Sequence, residues 1–393
     1  MNDKTLHFLK KRFQNYYQDA HIHLPPEYST REWGFILFDD MPKTVMRRHM
    51  AFGSPGELQD YLTWRVPAHA YYSVAYYEYP SASNMKDKNW IQSDLVFDLD
   101  ADHLPNVPES YSDMLENVKQ EALKLYDFLS DDFGFGEEDI NIVFSGGRGY
   151  HFHISHPSVR SLGSAERREI VDYISGRGLD ISQIIGKRSV SGDSGRRDAS
   201  MFVFPSENDG GWGSKINHYI ISYISNIVNE DKPVKRLTKF SGVGKTTAEK
   251  LVNIFNNEKQ LSLLKKGKID MVSNTSKKLF EYLGKQAVEN IIANVDEPVT
   301  SDIKRLIRVP GSLHGGSGLK VTVLSASQLE NFKPLDDAVV FEDNPITLNV
   351  TQPSTIEMKG NEFHVYEGVQ ELPGYAAIYL MCRGGAEYGQ NRA

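Results

Sequence analysis

The chain has 393 residues, 40% of them hydrophobic and 11% aromatic, with a formal net charge of −8 at pH 7. That length allows two or three compact units. No apolar run approaches a membrane span, no signal-peptide core is expected at the N-terminus, and the charge argues against a wholly basic nucleic-acid coat while leaving local basic patches open. The only cysteine, Cys382, makes neither an internal disulfide nor a cysteine-rich zinc site, so a reducing cytoplasm is the expected location.

Leu6, Leu9, Phe13 and Tyr17 recur at helical spacing and predict an amphipathic helix over 5–18. Residues 33–38 and 44–52 read as a hairpin across Asp39-Asp40-Met41-Pro42. Residues 68–77 read as one aromatic-rich strand and 94–100 as another. Met114, Val118, Leu123, Leu125 and Phe128 give 111–129 helical periodicity. Residues 140–145 and 150–155 are strands around a glycine turn, and Ser164 is placed to cap a helix running to 175, with Glu166 near its positive end. Residues 176–195 are rich in glycine, serine and charge and read as an exposed linker. From 212 to 293 the pattern is helical. Strand character returns at 320–324, 339–341 and 346–350, and 372–383 is expected to form a closing helix.

Two stretches carry chemistry. In Val96-Phe97-Asp98-Leu99-Asp100, side chains alternate along a strand, so Asp98 and Asp100 share one face and Phe97 and Leu99 the other. Two hard oxygen donors on one edge suit Mg²⁺ or Mn²⁺ for phosphoryl-transfer chemistry. In Ser145-Gly146-Gly147-Arg148-Gly149-Tyr150-His151, a hydroxyl, a guanidinium and an imidazole surround a glycine turn, as a triphosphate cradle requires. Basic clusters occur at Lys187-Arg188, Arg196-Arg197, Lys235-Arg236 with Lys239, and Lys304-Arg305 with Arg308; any one alone reads as solvated surface.

A further segment, Ser241-Gly242-Val243-Gly244-Lys245-Thr246-Thr247-Ala248, faintly echoes a phosphate-binding Walker loop, but Lys239 replaces its first glycine and no strand is predicted before it. Gly-Val-Gly followed by Ala248 and Leu251 fits a helix-hairpin-helix turn better, where backbone N–H groups approach a DNA phosphate. A plain turn between two helices is the alternative.

A third motif, Val295-Asp296-Glu297-Pro298 followed by Lys304-Arg305-Leu306-Ile307-Arg308-Val309-Pro310-Gly311-Ser312-Leu313-His314-Gly315-Gly316-Ser317-Gly318, joins the first two. Together, in this order, the three closely resemble those of the catalytic small subunit of archaeal and eukaryotic DNA primase, over most of the chain. The resemblance implies an α/β (α+β) fold: a catalytic core of mixed or antiparallel sheets flanked by helices in 1–175 and 294–393, with a linker and smaller helical insertion in 176–293. It implies a metal-binding triad of Asp98, Asp100 and Asp296, with Asp302 the nearby competitor for the third place. It implies nucleotide binding by Ser145, Arg148, His151, Arg308 and His314. Asp94 and Asp102 are expected to be surface residues, and His153 to have a structural role.

The implied reaction is template-directed nucleotidyl transfer from NTPs or dNTPs on single-stranded DNA with two Mg²⁺ or Mn²⁺ ions. The implied partner is a primase large subunit, which would carry any iron–sulfur cluster because this chain lacks the cysteines. Two departures stand out. Residues 101–129 hold no cysteine and one histidine, His103, so the zinc knob of many relatives is expected to be absent. Gly147 replaces an arginine of some relatives, which leaves phosphate binding at that point to Arg148. Rival readings are an end-joining type primase–polymerase, a metal-dependent phosphodiesterase, and a non-catalytic DNA-binding subunit.

Overall fold

The N-terminal periodicity is realised as a helix, Asp3–Asp19, that buries Leu9, Phe13 and Tyr17 and is capped by Asn2, whose side chain accepts the Thr5 N–H at 2.9 Å. The computed structural model describes all residues except 42, 105–107, 109, 191–198 and 390–393. The basic pair Arg196-Arg197 and Pro42 of the predicted hairpin connection therefore lie outside the described residues.

The strands before the helical stretch are β1 (Trp33–Leu37), β2 (Arg47–Met50), β3 (Pro67–Ser73), β4 (Ala75–Tyr77), β5 (Trp90–Ser93), β6 (Leu95–Asp100), β7 (Ile140–Phe144) and β8 (Gly149–Ile154). Ahead of residues 212–293, β9 (Gly186–Val190) also pairs with β10 (Ala199–Val203); after them come β11 (Leu306–Arg308) and β12 (Thr322–Leu324). Two antiparallel sheets organise the core, one ordered β11-β3-β1-β2 and the other β12-β7-β8-β6. The segment from Leu306 to Leu324 supplies an edge strand to each sheet, so the loop between β11 and β12 joins them.

The chain divides into a sheet-built unit of residues 1–130, 135–171 and 294–393 and a helical unit of residues 131–134 and 172–293. In the helical unit, Gly211–Val228 buries Ile216, Ile220 and Ile224 at helical spacing and packs on the helix Asn274–Ile291. In the sheet-built unit, the predicted closing helix forms as Gly374–Cys382, every residue of it buried. A helix apolar all round belongs in a core.

Several expectations are corrected. Residues 68–77 are not one strand. The Arg31 guanidinium donates to the Ser73 and Val74 carbonyls at 3.0 and 3.1 Å, and the Asp94 N–H also donates to Val74, so the chain leaves the first sheet there and continues as β4 on β5. Residues 339–341 form no strand; Phe341 instead packs 6.0 Å from the Phe13 ring. Part of the expected linker is ordered as Ile181–Ile184 and β9, because a ladder is made by main-chain groups and tolerates polar side chains. Ser164 is the first residue of its helix, Ser164–Ile174, and the Gly163 carbonyl accepts the Arg167 N–H. The helix Pro55–Arg65, capped by Ser54, and the strands β5, β13 (Ile346–Val350) with its partners β16 (Gly368–Leu372) and β17 (Ala386–Tyr388), and the hairpin β14 (Ser354–Met358) to β15 (Asn361–Val365) complete the sheet-built unit; of these only β13 was expected. No described helix is long and apolar enough to cross a membrane.

Candidate active site

Strand β6 lies antiparallel to β8 with Asp98 opposite His151 and Asp100 opposite Gly149. Phe97 and Leu99 are fully buried, while Asp98 and Asp100 on the other face stay partly open, as the alternation predicts. The Asp296 backbone N–H donates to the Asp98 carbonyl at 2.9 Å. This bond carries the third carboxylate to the acidic strand across a long stretch of intervening sequence. Glu121, buried on the helix Tyr111–Asp127, accepts both the N–H and the side-chain amide of Asn294 at 2.9 Å and so fixes the chain two residues before Asp296.

Asp302, the competitor for the third place, serves the chain locally. It ends the short helix Glu297–Ser301, and its carboxylate accepts the Lys304 N–H at 2.9 Å. Among the described residues no three His, Cys, Asp or Glu side chains already stand close enough to hold an ion. The donor chemistry nevertheless suits hard divalent cations: two carboxylates on one open strand face and a third on the adjoining backbone.

Asp94 is not a surface residue. It is 2% exposed, pairs with Arg31 at 2.6 Å and accepts the Tyr76 hydroxyl at 2.8 Å. Arg167 donates to the Asp94 and Ser93 carbonyls at 2.7 and 2.9 Å, so two buried arginines hold the chain where β6 begins. Removing one partner from such a set would strand a buried charge. Asp102 is exposed as expected, but it takes a bidentate pair from Arg148 at 2.7 and 2.5 Å, while Arg148 Nε lies 3.8 Å from Asp100.

The glycine turn is organised by Ser145. Its hydroxyl accepts the N–H groups of Gly147 and Gly149, both at 3.3 Å. Gly146 has φ +73°, and a Cβ there would lie 2.8 Å from the His314 Cβ, so the turn requires glycine twice over. Ser317 donates to the Gly146 carbonyl at 2.5 Å, which docks the third motif on the second. A Cβ at Gly147 would lie 3.0 Å from His314 Nε2, so the arginine of some relatives would displace that imidazole.

His314 Nδ1 accepts the Gly316 N–H at 3.2 Å, and burial, then the charge of Arg308, drives its pKa well below 6.5. The neutral ring therefore carries its proton on Nε2, facing Gly147. Burial likewise holds His151 neutral, with its Nε2 3.4 Å from an Asp98 oxygen. His153, whose Nδ1 meets the Tyr72 hydroxyl at 3.0 Å, is buried away from the cleft and has a structural place.

Arg308 stands opposite Tyr71 on β3, its guanidinium 5.1 Å from that ring and its Nη1 donating to His69 Nδ1 at 2.7 Å. Burial first and Arg308 second lower the His69 pKa to about 3, which leaves the imidazole free to accept. Asp98, Asp100, Ser145, Arg148, His151, Arg308 and His314 all line one cleft of about 450 Å³. Asp296 is not among the residues lining it and is tied to Asp98 through its backbone N–H.

A family model described as DNA primase small subunit matches residues 97–325, a span that runs from β6 through all three motifs. The chain belongs to the DNA primase small-subunit family. It is 60% identical over 389 residues to the DNA primase small subunit PriS of Methanococcoides burtonii, covering 99% of this chain and 100% of that one. It is 50% identical over 410 residues to PriS of Methanosarcina acetivorans, covering 100% and 99%, and 40% identical over 398 residues to PriS of Haloarcula marismortui, covering 99% and 100%. Membership in the primase small-subunit family implies primer synthesis in DNA replication, a DNA template and a partner subunit.

Tyr71, Tyr111, Arg305 and Arg383 are among the cleft residues that escaped the sequence reading as members of the site. Arg383 follows the closing helix and lies 4.7 Å over the Tyr111 ring, while the Tyr111 hydroxyl donates to the Gly147 carbonyl at 2.5 Å. A further guanidinium, that of Arg383, thus lines the cleft together with Arg148. Arg305 was visible as part of a basic cluster; nothing in the local sequence around Arg383 marks it, because only the packing of the last helix brings it to the glycine turn.

Proposed function

We propose that this cleft joins nucleotides on a single-stranded DNA template by two-metal nucleotidyl transfer, from NTPs or dNTPs, and starts strands without a primer. The observation that carries the reading is the meeting of an acidic strand edge and a set of arginines in one cleft. A hydrolytic site explains the carboxylates but not four guanidinium groups gathered beside them.

Asp98, Asp100 and Asp296 would hold Mg²⁺ or Mn²⁺, which when bound would lower the pKa of the attacking 3′-hydroxyl and offset charge on the reacting phosphate. Arg148 and Arg308 take the β- and γ-phosphates through bidentate or charge-assisted bonds. To do so Arg148 exchanges its exposed pair with Asp102, a contact worth little in water. His314 donates Nε2–H to a phosphate oxygen as a neutral imidazole, and His151 supports Asp98. Ser145 acts through the turn: its hydroxyl holds the N–H groups of Gly147 and Gly149, which shapes the main chain that faces the phosphates. No side-chain nucleophile is needed.

The partner is a large subunit, and any iron–sulfur cluster of the assembly lies in it, since the single cysteine here, Cys382, is buried in the closing helix. The chain itself carries no structural zinc in this reading.

The test is to incubate the chain with single-stranded template, NTPs and Mg²⁺ or Mn²⁺ without primer. Short products are expected. Extension of a supplied primer only would favour an end-joining type polymerase, degradation a phosphodiesterase, and no reaction with retained DNA binding a non-catalytic subunit; each overturns the reading.

A further inference from the structure

The glycine-containing turn of the helical unit takes no part in the cleft just described. It sits between the helices Pro233–Leu237 and Lys245–Phe255, with no strand leading into it, so the Walker-loop reading fails on topology. Leu237, Ala248 and Leu251 are fully buried and Val243 nearly so, which fixes the two helices as a pair. Phe240 packs between Tyr223 and Tyr282, each 6.3 Å away, and its carbonyl accepts the Val243 N–H at 3.0 Å. The apolar positions are thus spent on building the hairpin.

Its polar side is left open. Gly242, at φ +79°, and Gly244, at the start of the second helix, have no atom within 4 Å of where a Cβ would stand. Neither glycine is there to avoid a neighbour in this chain, and Gly244 has an ordinary backbone conformation. No side chain caps the second helix. Residues 230–250 carry the exposed cations Lys232, Lys235, Arg236, Lys239, Lys245 and Lys250 against the acids Glu230, Asp231 and Glu249, in a chain whose net charge is −8. Lys245 is 81% exposed, and its contact with Glu249 is a loose 3.9 Å. A local excess of exposed cations in an acidic protein, beside glycines whose Cβ positions are open, is complementary to a polyanion.

We propose that this hairpin is a second nucleic-acid contact, distinct from the catalytic cleft, that grips the phosphodiester backbone without reading bases. The exposed lysines and Arg236 supply the long-range attraction, and the glycines let a phosphate approach the main-chain N–H groups of the turn. Because phosphates are common to every sequence, the contact is sequence-independent and salt-sensitive. It is argued from the helical unit alone and does not rest on the catalytic reading.

The experiment uses the full chain and two labelled probes: a single-stranded DNA oligonucleotide and the same oligonucleotide partly duplexed. Anisotropy titrations are run over a salt series for the wild type, Gly244→Val, Lys239→Glu/Lys245→Glu, and Lys259→Glu. Lys259 is an exposed lysine of the same unit on the helix Glu258–Lys265. A Cβ at Gly244 meets no atom within 4 Å, so Gly244→Val is expected to retain the fold, which far-UV circular dichroism and the melting temperature check.

Gly244→Val and the double variant should each weaken DNA binding about tenfold on any sequence, and the double variant should flatten the dependence of log K on log salt by about one for each phosphate it no longer neutralises. Lys259→Glu should do neither. A loss confined to the single strand assigns the hairpin to the template, and a loss confined to the duplex assigns it to the product. Unchanged affinity and salt slope in both hairpin variants would overturn the proposal, as would an equal loss in Lys259→Glu.

Discussion

The catalytic cleft and the glycine hairpin, as proposed, would bind phosphate in different ways. In the cleft, side chains do the binding, and sheet pairing aims them: Asp98 faces His151 across β6 and β8, and Arg308 faces Tyr71 across β11 and β3. In the hairpin, exposed cations flank two open glycines that leave the main chain accessible. The cleft should therefore fail when one of those side chains is cut back, whereas the hairpin should fail when a side chain is added at Gly244 as well as when its lysine charges are reversed.

The largest effect expected is at the carboxylates. Asp98→Ala, Asp100→Ala and Asp296→Asn should each lower primer synthesis at least about a thousandfold, since the loss of metal-based charge stabilisation is worth several kcal/mol. Asp302→Asn should stay near wild type, because its carboxylate serves a local turn. Product gels alongside melting curves check this; a dead, folded Asp302→Asn would move the third carboxylate.

Next come the arginines. Arg308→Ala should raise the KM for NTP about tenfold to a hundredfold, in line with a charge-assisted bond of roughly 1.5–3 kcal/mol. Arg148→Ala should cost less, because Arg148 is 41% exposed and already paired with Asp102. Steady-state kinetics at saturating template measure both. If either changed DNA affinity more than NTP affinity, the division of labour between cleft and hairpin would break down.

Acid should act on the sheet-built unit. Burial lowers His69 to about 3 and His153 to about 4, against about 6.5 when unfolded. As the pH falls below 6.5 the unfolded chain takes up protons first, so stability is complete above 6.5 and declines progressively toward 4. Thermal melts across that range should show the decline, and His153→Gln should make it shallower. An unchanged slope would mean that His153 is not held neutral.

The smallest signal is an expected zero. Elemental analysis of the purified chain should find no stoichiometric zinc. One zinc per chain would require ligands other than cysteine and would give the sheet-built unit a metal-held region that the cleft does not need.

Much of the local architecture was legible in the residues. The spacing of Leu9, Phe13 and Tyr17 names the buried face of the first helix, and alternation puts Asp98 and Asp100 together on one side of a strand. Both are short-range consequences of backbone geometry, repeating every 3.6 or 2 residues whatever the rest of the chain does. The glycine turn was legible for the same reason, as its length and composition permit little else. What a strand pairs with is set by contacts between segments far apart in sequence, and there local patterns are silent. No pattern around Asp94 announces that Arg31 will bury it, or that the same arginine will turn the chain between β3 and β4. Nor does any pattern show that Glu121 will seat Asn294, that Asp296 will hang from the Asp98 carbonyl, or that Arg383 will reach Tyr111. Those placements come from packing the two sheets and the closing helix together, because only there do buried polar groups find the partners they need to leave water.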